Sequence, residues 1–148
     1  MDYDYSAISH VPRARHPVFQ HTLDTYASET NKVVSVWRAF ANQDLAFKPH
    51  PRSSTVREIM KHQLLSERRF FGEFLGTPEP PASAVLPQDD QLQDYVQRMN
   101  ELALPRLRFL AAQDEAWWLG KAPSSRSSAS ESGSSGAVSS TPPITARN

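Results

Sequence analysis

The chain has 148 residues and a formal net charge of zero, which suits one modest domain and gives no electrostatic reason to expect a nucleic acid or an anionic membrane as partner. It contains no cysteine, which excludes disulfides, thiolate metal ligands and a cysteine nucleophile. No apolar run is long enough to span a bilayer, and residues 1–15 lack the apolar segment of a secretory signal, so we expect a soluble, cytoplasmic protein.

Residues 1–16 are predicted to form a flexible N-terminal arm, in which Pro12 and Pro17 bracket a basic patch. From Val18 onward, apolar residues recur at steps of three and four, which predicts a first amphipathic helix. Its stripe consists of Leu23, Tyr26, Thr30, Val33, Val34, Trp37 and Phe40. Pro49 and Pro51 then prevent any helix from continuing.

A second helix is predicted to start at Thr55, because Thr55 followed by Glu58 fits a capping box. One side of this helix carries Val56, Ile59, Met60, Gln63, Glu67, Phe70, Phe71 and Phe74. Gly76 and Pro78 are predicted to end it.

The proline-rich stretch 77–87 is predicted to be a loop, after which Asp89 or Asp90 can cap a third helix. The stripe of that helix consists of Leu92, Tyr95, Val96, Met99, Leu102, Arg106, Phe109 and Leu110. Pro105 lies inside it and is predicted to kink or split it, at a cost of about 3 kcal/mol relative to alanine.

The composition changes after Pro123, where serine, alanine, glycine, proline and threonine dominate. Val138 and Ile144 are the larger aliphatic residues of this tail, so it cannot bury enough apolar surface to offset its ordering entropy. We therefore divide the chain into an arm (1–16), a helical domain (17–121) and a disordered tail (122–148). Three amphipathic helices without strand signals predict an all-α, antiparallel up-down bundle that lacks a fourth helix.

Histidines and carboxylates are the candidate ligands for a transition metal. Of the five histidines, His10, His16, His21 and His50 are predicted to be solvated or surface residues, whereas His62 lies in mid-helix beside the apolar stripe. A lone histidine is a weak signal, since a metal site needs three or four converging ligands. Glu67 lies near the centre of the same stripe, and the favoured interpretation is a salt bridge with Arg106.

The order of three segments resembles the DinB/DUF664 family. The residues that carry the resemblance are Trp37–Phe40, then Asp44–Pro49 with its phenylalanine–lysine–proline sequence, then Ser54–His62. Leu64–Gly76, with Glu67 and the pair Phe70–Phe71, is also similar to the second helix of that family. The resemblance covers residues 17–121 approximately.

This resemblance implies a four-helix bundle of the DinB type. Many members bind a divalent metal, such as zinc or nickel, through one histidine of helix two and a His-x-x-x-His pair of helix four. His62 corresponds by position to the helix-two ligand, and the pair has no counterpart in this chain. Characterised relatives are thiol-dependent transferases and isomerases, which implies a low-molecular-weight thiol and a small electrophilic substrate as partners. Without the pair, we expect the chain to be inactive as written.

The tail itself suggests why the pair is missing. Residues 140–148, back-translated with cytosine at most third positions and read one base out of register, permit His-Thr-Ala-His-His-Arg-Thr-Gln, which resembles the missing motif. A serine- and proline-rich tail is also typical of GC-rich coding sequence read out of frame. We hypothesise a frameshift after Ala122 that removed the fourth helix.

Two alternatives remain open. The chain can be a non-catalytic helical protein whose uncovered face forms a homodimer or binds a partner helix, or a frameshifted product without function. The face left uncovered is predicted to be lined by some of Trp37, Phe40, Phe70, Phe74, Tyr95 and Phe109.

Overall fold

The computed structural model describes residues 8–121, and every regular element in this part of the chain is helical. This confirms the all-α prediction for the described residues. The chain divides into two units, Met1–Gln113 and Asp114–Asn148. Within residues 8–121, no helix combines the length and the apolar character that crossing a bilayer requires. The predicted disordered tail, 122–148, lies outside the described residues.

The first unit begins its helical part with a 3-10 turn at Pro17–Phe19, which leads directly into α1, Gln20–Trp37. A second 3-10 turn, Asn42–Asp44, follows, and α2 spans Val56–Arg69. The backbone of α2 continues as a π-helical turn over Phe70–Leu75.

Two further helices complete the described part of the first unit. α3, Ala82–Val85, is a single turn inside the segment predicted as a loop. α4 spans Leu92–Ala111 and is the predicted third helix. In the second unit, α5 spans Glu115–Lys121, and its two tryptophan rings pack edge to face with centroids 5.1 Å apart.

Both ends of the second predicted helix form as its sequence indicates. The Thr55 hydroxyl accepts a hydrogen bond from the Glu58 amide at 3.1 Å, and the Glu58 carboxylate accepts one from the Thr55 amide at 2.8 Å, so the capping box is confirmed. These bonds also hold the pKa of Glu58 below its usual range. At the other end Gly76 has φ 74°, a left-handed conformation that favours glycine and ends the π-helical turn.

The core lies between α1, α2 and α4. Its buried members come mainly from one face of each helix and are Val34, Trp37, Leu45, Val56, Met60, Leu64, Val85, Tyr95, Val96, Met99 and Leu102. Burial of a large apolar side chain contributes about 1.5–3 kcal/mol, so these contacts are the main stabilising term of the fold. Trp37 and Tyr95 therefore belong to the core, not to an uncovered face.

The apolar side that was predicted for the second helix is wider than the face of α2 that is buried. Met60, Leu64 and Phe71 are buried, whereas Ile59, Phe70 and Phe74 remain exposed. Each residue turns the helix by about 100°, so Ile59 is rotated away from Met60 and out of the core. Phe70 and Phe74, which were predicted to be candidates for an uncovered face, are thus exposed.

α4 differs from its prediction in two details. It runs continuously through Pro105, so the predicted split is wrong; Pro105 is exposed, whereas its neighbours Leu102, Ala103, Arg106 and Leu107 are buried and hold the helix against the core. Neither predicted aspartate caps it, because Gln91 is the N-cap and the Asn42 side chain accepts the Leu92 amide at 2.6 Å.

The N-terminal arm is anchored over its described part, residues 8–16. Ile8 is buried, and its amide and carbonyl both pair with the Asn31 side chain, at 3.0 and 3.3 Å. Further along, the Arg15 amide donates to the carbonyl of Ala111 at 2.8 Å. These contacts had no signal in the sequence, because single hydrogen bonds to the backbone need no periodic pattern. Residues 1–7 lie outside the described part.

Candidate functional site

His62, the predicted metal ligand, lies on the exposed side of α2. Its Nε2 atom is 3.1 Å from the hydroxyl of Ser66, one helical turn further along. Helical spacing places His62 on the same face of α2 as Ile59, Ser66 and Phe70. Phe74 continues this face into the π-helical turn. We call these five residues the α2 stripe.

The other described histidines lie apart from His62. His21 is exposed on α1, 3.5 Å from the hydroxyl of Thr25. His50 is exposed in the segment before α2, and its Nδ1 accepts the amide of Arg52 at 3.1 Å. His16 precedes the first 3-10 turn and stacks at an angle on Phe19, while His10 is exposed in the arm.

The described donors do not by themselves fit a divalent metal. Among residues 8–121, no three histidine, aspartate or glutamate side chains come together in a group that could hold an ion. One exposed imidazole supplies a single ligand, and tight binding of zinc requires three or four. The zinc or nickel site that the family resemblance implies therefore needs ligands from outside this part of the chain.

The α2 stripe combines apolar ends with a polar centre. Ile59 is 51 % exposed at one end, and Phe70 and Phe74 are 50 % and 66 % exposed at the other, with their rings 5.7 Å apart. His62 and Ser66 lie between them. Large apolar side chains grouped on one surface in this way are typical of an interaction site.

A buried ionic network lies behind the stripe, centred on Arg106 of α4. Its guanidinium donates to the Glu67 carboxylate at 3.0 Å, which confirms the salt bridge predicted from the sequence. It also binds Glu79, from the loop before α3, through Nη2 at 2.7 Å and through Nε at 3.0 Å. The Tyr26 hydroxyl of α1 lies 3.3 Å from both Nη1 of Arg106 and the Glu67 carboxylate. Arg106 therefore ties α1, α2, α4 and this loop together.

The partners of Arg106 are themselves fixed. Gln63 donates to the second oxygen of Glu67 at 2.7 Å, and the Thr77 hydroxyl donates to Glu79 at 2.7 Å. The ring of Phe71 lies under the guanidinium, 4.8 Å from its carbon. Each nitrogen of the guanidinium thus has a partner, and the buried side chain is held in place by residues of this network.

The electrostatics of this network follow from its burial. Burial raises the pKa of Tyr26 to about 12, and the neighbouring Glu67 carboxylate acts in the same direction. Burial opposes the charge of Arg106, but hydrogen bonding to Glu79 keeps its pKa above the usual value. The arginine is charged and the tyrosine neutral at ordinary pH, and the network joins the helices through these charged and neutral groups.

A second polar contact joins α4 to the start of α2. The Tyr95 hydroxyl donates to Asp90 at 2.6 Å, and Nε of Arg57 lies 2.6 Å from the other oxygen of that carboxylate. The bond from Tyr95 lowers the pKa of Asp90 below its usual range. Asp90, predicted as a helix cap, instead fixes the entry to α4 against α2.

A groove of about 710 Å³ runs along α4 at the C-terminal end of α1. We call it the α1–α4 groove. Its lining is mixed, with aliphatic residues and amides, and consists of Arg38, Leu92, Gln93, Val96, Gln97, Asn100, Glu101 and Leu104. No sequence pattern indicates this groove, because Arg38 lies at the C-cap of α1 and the other lining residues on α4, and the contact between these helices is known only from the fold.

No family profile matches the chain, and neither a curated protein nor a solved structure is found to be similar to it. The resemblance to the DinB/DUF664 family thus stays a prediction from the sequence.

Proposed function

We propose that this chain is a helical interaction protein that forms a homodimer through the α2 stripe. The observation that carries the proposal is the exposure of Ile59, Phe70 and Phe74, each at least half exposed on one side of α2. Covering these side chains would stabilise the dimer by about 25 cal/mol for each Å² of apolar surface that is buried.

A second copy of the chain fits this surface better than the tail of the same chain. Residues 122–148 offer Val138 and Ile144 as larger aliphatic residues, which cannot match a row of aromatic rings. A two-fold axis near Ser66 would place Ile59 of each copy opposite the Phe70 and Phe74 end of the other. The stripe is self-complementary in this arrangement because its apolar ends flank a polar centre.

The test is the molar mass of the full chain over a concentration series, measured by sedimentation or light scattering. We expect a monomer–dimer equilibrium that Phe70→Asp shifts strongly towards the monomer. The matched control is Val18→Asp, because Val18 is 66 % exposed but lies in the 3-10 turn before α1 and not on α2. A monomer at every concentration, or equal effects of both variants, would overturn the proposal.

A second candidate function follows from the place of His62. We propose that the chain derives from a metal-dependent transferase or isomerase of the DinB type that acts on a low-molecular-weight thiol and a small electrophile. The supporting observation is that His62 is exposed at the centre of the stripe, where a fourth helix with two histidines would have to pack. Thiolate chemistry at such a site requires the missing ligands, so we expect no turnover by the chain as written.

A further inference from the structure

The position of Phe74 on the α2 stripe depends on the π-helical turn. In an α-helix each residue turns the chain by about 100°, so Phe74 would lie two turns after Glu67 and on the same side of the helix. In the structure the two side chains part. Glu67 is 18 % exposed and bound to Arg106, whereas Phe74 is 66 % exposed, with its ring beside that of Phe70. A π-turn closes its hydrogen bonds over five residues instead of four, and this additional residue accounts for the difference.

The end of this turn is fixed through Phe71. The Gly76 amide donates to the Phe71 carbonyl across five residues, the spacing of a π-helix, and the Thr77 amide donates to the same oxygen at 3.0 Å. The Phe71 ring is buried, and its centroid lies 4.8 Å from the guanidinium carbon of Arg106 and 5.0 Å from that of the Tyr26 ring. Phe71 is thus held by groups from α1, from α4 and from the residues that follow the turn.

Glu79 joins these groups to one another. Its carboxylate accepts hydrogen bonds from Nε and Nη2 of Arg106 at 3.0 and 2.7 Å, and one from the Thr77 hydroxyl at 2.7 Å. Its Cγ atom packs on the turn at Gly72, where a Cβ atom added to the glycine would lie 3.4 Å away. We call the contacts of Glu79 with Arg106, Thr77 and Gly72 the Glu79 clasp.

A π-helical turn needs such support. Turns of this kind are rare in proteins and frequently lie at functional sites, so tertiary contacts must stabilise them against the α-helical alternative. The Glu79 side chain is 5 % exposed, and its bonds to a guanidinium in this buried place are stronger than bonds between neutral groups.

We infer that Glu79 is a positioning residue for the dimer surface. The Glu79 clasp holds the π-helical turn, and the turn holds Phe74 in line with Phe70 and Ile59. This inference rests on the dimer proposed above, and it adds a group behind α2 that controls whether the α2 stripe is formed. Without the clasp, the turn relaxes to an α-helix and Phe74 rotates towards Glu67. It then also approaches α1, because the Tyr26 hydroxyl lies 3.3 Å from the Glu67 carboxylate.

Sedimentation of the full chain over a concentration series gives the dissociation constant of the dimer. We expect Glu79→Ala to raise this constant about tenfold, the equivalent of about 1.4 kcal/mol, although Glu79 is not part of the α2 stripe. The matched control is Glu67→Ala, which also removes a carboxylate from Arg106 and should change the constant much less. The hydrogen bonds of Glu67 go to Tyr26, Gln63 and Arg106, so its loss leaves the contacts of Glu79 with Thr77 and Gly72 in place.

A distance measurement follows the turn itself. The chain contains no cysteine, so spin labels can be attached to the full chain at Thr22→Cys, an exposed position of α1, and at Phe74→Cys. The second substitution also removes a ring from the α2 stripe, so the labelled chain is expected to be monomeric. We expect the distance between the labels to be shorter once Glu79→Ala is added, because residue 74 turns towards α1. A general loss of stability would not produce this directed change.

The two measurements separate this inference from the dimer proposal. If the unaltered chain is a monomer at every concentration, the dimer proposal fails, and the label distance still decides whether Glu79 holds the turn. If the chain forms a dimer that Glu79→Ala and Glu67→Ala weaken equally, or if Glu79→Ala leaves the label distance unchanged, the inference is wrong and the dimer stands. If circular dichroism shows that Glu79→Ala has lost its helices, Glu79→Gln replaces it. That variant keeps the side-chain length and one acceptor oxygen, so smaller effects in the same direction are expected.

Discussion

Arg106 is the largest fully buried side chain among the described residues. Its side chain is 2 % exposed, and it is the cation that neutralises Glu67 and Glu79, which are 18 % and 5 % exposed. Removing it leaves two carboxylates with little access to water. Each buried carboxylate would then have a desolvation penalty that no cation offsets.

We expect Arg106→Met to lower the free energy of unfolding by about 3–5 kcal/mol, as measured by urea denaturation. Arg98→Met is the control, because Arg98 forms an exposed pair with Glu101 whose loss should cost about 0.2–1 kcal/mol. Similar values for the two variants would contradict the structural importance of the buried network.

Tyr26 gives the protein a defined response to alkaline pH. Its pKa is raised from 10.0 to about 12 in the folded state, so the folded chain holds this proton more tightly than the unfolded chain does. Stability is therefore unaffected below pH 10 and falls as pH rises from 10 to about 12. For one such group, the free energy of unfolding falls by up to about 1.4 kcal/mol per pH unit.

Denaturation curves between neutral pH and pH 12 measure this slope, and Tyr26→Phe should reduce it. Tyr95, whose pKa is also raised by burial and by the Asp90 carboxylate, keeps its own contribution in that variant. An unchanged slope in Tyr26→Phe would show that Tyr26 titrates normally in the folded protein.

His62 is expected to contribute little to metal binding in this chain. A single imidazole cannot retain zinc or nickel tightly, so titration calorimetry should give weak binding that His62→Ala barely changes. His21→Ala serves as a control for non-specific binding at an exposed histidine. Tight one-to-one binding that His62→Ala abolishes would mean that other residues complete the site.

At the scale of the elements, Gly76 determines where the π-helical turn can end. Its φ of 74° costs a residue with a Cβ atom about 1–2 kcal/mol, although an added Cβ would meet nothing within 4 Å. Gly76→Ala should therefore lower stability by backbone strain alone. Gly120→Ala is a matched control, because it also has open space around it but no positive φ. Equal effects on thermal unfolding would exclude strain as the cause.

The helices themselves could be predicted from the sequence, and some contacts between them could not. The capping box of α2 and the buried face of α4 depend on local spacing, which a sequence displays directly. The pairing of Glu67 with Arg106 was predictable because both interrupt apolar stripes. Glu79 was missed because it lies in a proline-rich loop without periodicity, and Asn42 was missed because it caps a helix 50 positions away.

The exposed surfaces, too, could be predicted only in part from residue spacing along the sequence. Phe70 and Phe74 could be assigned to an uncovered face, since the sequence pattern predicts three amphipathic helices and no fourth. Trp37 and Tyr95 were grouped with them because all four are aromatic and recur at helical spacing. Which of these side chains face the core depends on how each helix is rotated about its own axis. That orientation is set only when α1, α2 and α4 pack together.

At the scale of the whole molecule, a single experiment tests both the role of the α2 stripe and the hypothesis of a frameshift. Restoring the alternative frame after Ala122 should supply a fourth helix that covers the stripe, remove self-association and give stoichiometric binding of zinc or nickel. The melting of both forms is followed by circular dichroism, and their mass by light scattering. If the 148-residue chain is a monomer with a sharp transition that the restored frame leaves unchanged, the fourth helix is not needed and the frameshift hypothesis fails.

The bond from the Leu92 amide to the side chain of Asn42 also constrains the order in which the chain can fold. α1 and α2 can begin from signals in their own sequence, since their first turns depend on nearby residues. The first turn of α4 becomes complete only after the 3-10 turn that follows α1 has closed a long loop of chain. Closing such a loop reduces the entropy of the chain before any stabilising contact has formed. We therefore expect the N-terminal end of α4 to form late in folding, and its amide hydrogens to exchange before those of the rest of the helix.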